Sequence, residues 1–111
     1  MITFDPTLPE HCNMADRVAV NVLIDEILSR WLTMTVNDGE DHVVTASKDK
    51  HEILKSMSHT GQDTLYTPHG SFSLIYDNGS HNDPMVVISD YITNDSMDEI
   101  YNAVEKKLGV A

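Results

Sequence analysis

The sequence predicts an α+β fold: one domain over residues 1–111, with an antiparallel sheet of about five strands and three helices in the order α-β-β-α-β-β-β-α. Three observations predict it. Segments near residues 14–29 and 97–108 repeat apolar side chains with the 3.6-residue period of a helix packed on one side. Short apolar runs elsewhere are joined by turn tripeptides, Asn37-Asp38-Gly39 and Pro68-His69-Gly70, which are too short for parallel crossovers. At 111 residues the chain has material for one hydrophobic core and not for two.

Residues 1–12 contain Pro6 and Pro9 and read as an extended lead-in. Residues 1–10 have neither a basic start nor an apolar stretch, so no secretory signal is expected. Asn13 is an N-cap type, and Val20, Ile24, Ile27, Leu28 and Trp31 form one stripe, predicting a helix over 14–29. Leu32, Met34 and Val36 then alternate with Thr33 and Thr35, the period of a half-buried strand. The Asn-Asp-Gly turn returns the chain into a strand at 42–46. Ser47 is the expected cap of a second helix over 48–58, with Ile53, Leu54 and Met57 inward and Gly61 near its end.

The second half is mostly β. Residues 64–67 and 71–76 flank Pro68-His69-Gly70 as a hairpin, and a polar loop runs from Asp77-Asn78-Gly79 to Asp83-Pro84. The continuous run Met85-Val86-Val87-Ile88 predicts a strand that is central or covered on both faces. Ser96-Met97-Asp98-Glu99 reads as a capping box that starts the last helix, whose stripe is Met97, Ile100, Tyr101, Val104 and Leu108, with Gly109 as its stop. Trp31, Leu74, Val86, Ile88, Ile100 and Val104 are the expected core.

Composition narrows the function. Seven Lys+Arg against 18 Asp+Glu give a formal charge of −11, so direct binding to nucleic acid or to an anionic membrane is not expected. No run approaches the length of a transmembrane helix, and the lone Cys12 forms no internal disulfide, which suits a cytoplasmic protein. The charge is also segregated. Residues 56–105 contain no Lys or Arg and eight acids: Asp63, Asp77, Asp83, Asp90, Asp95, Asp98, Glu99 and Glu105. A surface made from them attracts cations and basic proteins.

Signals for catalysis are weak. Six histidines show no zinc spacing, the acids of the first hairpin lack the calcium-loop pattern, and no glycine-rich phosphate loop is present. His11-Cys12 has no framing elbow for a nucleophile. No cofactor and no metal are therefore expected, and the reading leans away from an enzyme. The candidate site is instead an acidic face of Asp77, Asp83, Asp90, Asp95, Asp98 and Glu99 that docks a basic protein surface, such as that of a nucleic-acid-binding protein. One alternative is a ligand- or metal-binding domain or small enzyme built from His42, His81 and Asp83 across the sheet. Another is a structural accessory subunit. Separately from these, a second copy of the chain is a candidate partner that would cover any apolar face left open by Trp31 and residues 85–88.

Residues 31–36, Asn37-Asp38-Gly39-Glu40, Ser47-Lys48-Asp49-Lys50, Asp63-Thr64-Leu65, Leu74-Ile75-Tyr76-Asp77-Asn78-Gly79 and Val87-Ile88-Ser89-Asp90-Tyr91 resemble small hypothetical proteins of proteobacteria and their phages. The resemblance covers about residues 31–100. No activity belongs to that group, so it carries over no site residue. It implies a phage or mobile-element setting, where small acidic proteins, anti-CRISPR-type inhibitors among them, act by binding host machinery.

Overall fold

Asn13 caps helix α1 (Met14–Ser29): its side chain accepts from the Asp16 amide, and Asp16 answers by accepting from the Asn13 amide. The computed structural model describes residues 13–38, 42–57, 61–80 and 82–109, with the backbone alone at 42–44. α1 buries Val20, Ile24 and Ile27 as its stripe predicts, and Ala19, Val22 and Leu23 as well, because it lies between α3, α2 and the segment before the last strand. Its end is a Schellman motif: Trp31 N–H bonds to Leu28 O at 3.0 Å and Leu32 N–H to Ile27 O at 3.5 Å. That motif needs a left-handed residue, and Trp31 adopts it with φ 62°. The indole is therefore turned off the core stripe and stands 82% exposed, contrary to its expected burial.

β1 (Met34–Asn37) pairs antiparallel with β2 (His42–Ser47); the tip of the hairpin lies outside the described residues. The register shifts twice along this pair, and Ala46, at φ 50°, gives its N–H to Thr35 Oγ1 at 2.9 Å. β2 is thus an irregular edge strand, a poor template for further pairing. Helix α2 (Lys50–Lys55) is capped by Asp49 rather than Ser47. Ser47 still belongs to the β2 ladder opposite Met34, and its hydroxyl accepts from the Asp49 amide at 3.1 Å. Ile53 and Leu54 are buried as expected, and Met57 is buried just beyond the helix.

β3 (Gln62–Thr67) and β4 (Gly70–Ile75) form the expected hairpin, with Thr67 opposite Gly70 across the Pro68-His69 turn. The run after the polar loop departs from expectation. Pro84–Val87 is a 3-10 turn, and the strand β5 is Ile88–Tyr91. Asp83 accepts from the Met85 amide at 3.0 Å, and Pro84, with its fixed φ, starts the turn. An apolar run carries no period, so it buries equally well as a turn: Met85 and Val87 are inside, while Val86 is only half-buried. The sheet order is β2-β1-β3-β4-β5, all antiparallel, so β5 is an edge strand and not a central one.

Helix α3 (Asp95–Lys107) starts one residue before Ser96, capped by Asn94, which accepts from the Met97 amide at 2.9 Å. Ser96 lies inside the first turn and is not the cap. Met97, Ile100 and Val104 are buried, Tyr101 and Leu108 pack at the margin, and Gly109 closes the helix at φ 75°. Met34 and Val36, Leu65, and Phe72 and Leu74 point to one face of the sheet and join the helices in a single core. The other face carries Thr35, Thr64, Tyr66, Ser71 and Ser73, none of them fully buried.

Candidate functional site: an acidic belt from the start of α1 to its end

The polar loop between β4 and the 3-10 turn is held by a buried carboxylate. Asp16, with no exposed surface, accepts from the Asp77 amide at 2.7 Å and from the Ser80 hydroxyl at 2.6 Å, besides the Asn13 amide. Asn13 Nδ2 in turn donates to Ser80 Oγ at 2.9 Å and to Asp77 Oδ1 at 3.2 Å. These bonds hold Asp77 at φ 52° with its side chain in solvent beside the start of α1.

Three of the expected acids surround β5. Asp83 caps the turn leading into it. Asp90 lies on β5 opposite Ser73, and its carboxylate accepts from the Tyr91 amide at 2.9 Å. Ile92 N–H bonds to Ser71 O on β4, so the Tyr91 amide points outward from the edge, where Asp90 occupies it. Asp98, from α3, accepts from the Tyr91 hydroxyl at 2.9 Å. Tyr91 itself stacks on Tyr101 with ring centroids 4.8 Å apart and leans on Phe72 at 5.7 Å. Burial, the bond to Asp98 and the negative field of Asp98 and Glu105 push the Tyr91 hydroxyl up to about 12. Tyr101 is also raised, by burial and then by Glu105 and Asp83.

The remaining acids lie on the α3 side. Asp95 is exposed in the first turn of α3. Glu99 is 69% exposed and meets Arg30 Nη1 at 3.3 Å, while Arg30 Nε bonds Glu26 at 3.0 Å. Glu26 also receives Lys107 Nζ at 2.7 Å, so a buried carboxylate near the end of α1 stands between two cations and ties α1 to the end of α3. Burial raises the Glu26 carboxyl, but the hydrogen bonds and charges of Lys107 and Arg30 outweigh it and hold it below the ordinary value.

The six expected residues therefore form a spread belt and not a cluster, and Asp90, like its partner Ser73, turns to the sheet face away from the core helices. Asp77 is tied to Asn13 at the start of α1 and Glu99 to Arg30 at its end, and a 16-residue helix separates them by about 24 Å. Asp63 is not part of the belt: it is buried in β3 and receives the Tyr76 hydroxyl. Asp16 and Glu26 hold the belt in place, and the spacing of Asn13 to Asp16 and of Glu26 to Arg30 in the sequence carries the signal for both.

The His81 position and the His42 side chain lie outside the described residues. In the backbone, His42 begins β2 at one edge of the sheet, whereas Asp83 leads into β5 at the other. Among the described residues no group of three or more His, Cys, Asp or Glu is placed to hold a metal ion, and no helix is long and apolar enough to cross a membrane. Comparison with protein-family models, with curated proteins and with solved structures finds no match for this chain.

Proposed function

We propose that the chain is a non-enzymatic binding protein whose acidic belt docks a basic protein surface of the kind that holds nucleic acid. The observation that carries this reading is the segregation of charge. The belt exposes Asp77, Asp83, Asp90, Asp95 and Glu99, all drawn from a 50-residue stretch, residues 56–105, without Lys or Arg. The tyrosine, asparagine and arginine contacts to Asp98, Asp77 and Glu99 fix where these carboxylates stand, and preorganised charge lowers the ordering cost of binding. A second copy of the chain is a weaker candidate partner, because two molecules of charge −11 repel each other. The likeness to small proteobacterial and phage proteins favours an inhibitor of host machinery acting in the cytoplasm.

The test is titration of the protein with a synthetic arginine-rich peptide, followed by calorimetry. Neutralising Asp77, Asp83, Asp90, Asp95 and Glu99 together to Asn or Gln is expected to weaken binding at least about tenfold, chiefly through a slower association rate. An affinity indifferent to these changes overturns the reading.

A further inference from the structure

Asn78-Gly79 is the only Asn-Gly dipeptide of the chain, and it stands at the tip of the polar loop between β4 and the 3-10 turn. Its surroundings are tied down. Asp77 gives its amide to the buried Asp16 carboxylate at 2.7 Å, and Ser80 gives its hydroxyl to the same group at 2.6 Å. The Gly79 carbonyl accepts from the Asn82 and Asp83 amides at 3.1 and 3.3 Å. The two groups left over are the two that can react with each other. Asn78 is exposed, and its side-chain amide makes no hydrogen bond among the described residues. No acceptor among them takes the Gly79 N–H either. A β-carbon at Gly79 would meet nothing within 4 Å, so the space over this stretch of backbone is open.

Asparagine is thermolabile through its side-chain amide, and a following glycine leaves the attacking main-chain nitrogen unshielded by a β-carbon. We propose that Asn78 is a modification site that deamidates through a cyclic imide. The Gly79 nitrogen forms a bond to Asn78 Cγ, the bond from Cγ to Nδ2 breaks, and ammonia leaves with the proton of the Gly79 nitrogen. Water then opens the imide. Addition at Cγ gives aspartate, and addition at the main-chain carbonyl carbon gives isoaspartate, whose main chain runs through Cβ and Cγ. Water is the only co-reactant. Either product carries a carboxylate in place of an amide, taking the formal charge from −11 to −12 next to Asp77. The other described asparagines lack this combination. Asn13 and Asn94 cap helices, and Asn21 is buried and bonded to Arg17 O. The amide after Asn82 is bonded to Gly79 O, while Asn37 and Asn102 lie within β1 and α3. This chemistry belongs to the loop tip itself and is independent of any partner.

The test incubates the intact protein in neutral and in mildly alkaline buffer and follows it by isoelectric focusing and by mass mapping of proteolytic peptides. A synthetic peptide of residues 74–84 serves as the reference. Expected is an acidic species that accumulates with time, faster at the higher pH because the attacking nitrogen must give up its proton. The mass gain of exchanging an amide for an acid should appear first in the fragment containing Asn78, with isoaspartate among the products. A loop tip opens at little free-energy cost, so the rate in the folded protein is expected within about thirtyfold of that in the free peptide. Asn78→Gln, which must close a six-membered ring, is expected to suppress the acidic species at an unchanged thermal midpoint. An acidic species that forms in Asn78→Gln as fast as in the parent, a first mass gain at another asparagine, or a rate in the folded protein below that limit overturns the proposal.

Discussion

Asp16 accepts three hydrogen bonds, from two backbone amides and one hydroxyl; when the carboxylate is removed both amides lose their acceptor and the Ser80 hydroxyl keeps only Asn13 Oδ1 at 3.2 Å. Asp16→Ala is expected to cost about 3 kcal/mol in denaturant unfolding, and Asp16→Asn less, because buried donors without acceptors pay their full desolvation penalty. Trp31 predicts the opposite sign. Trp31→Gly relieves a left-handed φ of 62° at little loss of packing, and is expected to stabilise the fold by about 1 kcal/mol. Tyr91 gives a titration signature. With its hydroxyl raised to about 12, it stabilises the folded state fully below the ordinary tyrosine value of about 10 and loses that contribution as pH rises toward 12. Tyrosinate absorbance should therefore show a step near 12 in alkali that Tyr91→Phe removes, while the raised titration of Tyr101 remains.

Among the elements, the α1–α3 pair depends on Glu26. Its carboxyl is held low, so its stabilisation is present above the unfolded-state value of about 4.3 and is lost as pH falls through the lower folded one. Glu26→Gln should flatten the acid limb of a stability–pH curve measured by urea unfolding. The β5 edge makes a separate claim. Ile88 pairs with Leu74 and is 9% exposed, so Ile88→Ala is expected to cost about 2–4 kcal/mol even on an edge strand; a loss under about 1 would place it in solvent. α1 and both hairpins were legible because their signals are local: a cap, a period and a two- or three-residue turn. The 85–88 run was not, since a strand and a 3-10 turn bury four consecutive apolar residues equally well, and Asp83-Pro84 decided for the turn.

For the whole molecule, the solvent-accessible surface of 5770 Å² is close to the roughly 6,100 Å² that its mass implies for a closed single core. The acids that do not enter that core are spread over about 24 Å, three times the Debye length of about 8 Å at physiological ionic strength. The two ends of the belt should act separately. Asp77→Asn and Glu99→Gln are expected to weaken binding of a basic peptide additively in free energy, and the affinity should fall steeply between about 50 and about 500 mM salt.

From the sequence alone followed the α+β class, the element order, the antiparallel hairpins, most of the helix stripes and the acid-only stretch, because caps, periods, turns and formal charge are local properties of neighbouring residues. It also supplied the six acids as a list, but not their geometry. Only the tertiary structure decided that Asp63 is buried while Asp77 and Glu99 stand at opposite ends of α1, that β5 is an edge whose outward amide is covered by Asp90, and that Asp16 and Glu26 hold the belt from within. Those outcomes depend on which segments meet across long sequence separations. Trp31 shows the reason most plainly: its spacing continues the stripe of α1, yet the Schellman turn that directs the chain into β1 rotates it off the core and into solvent.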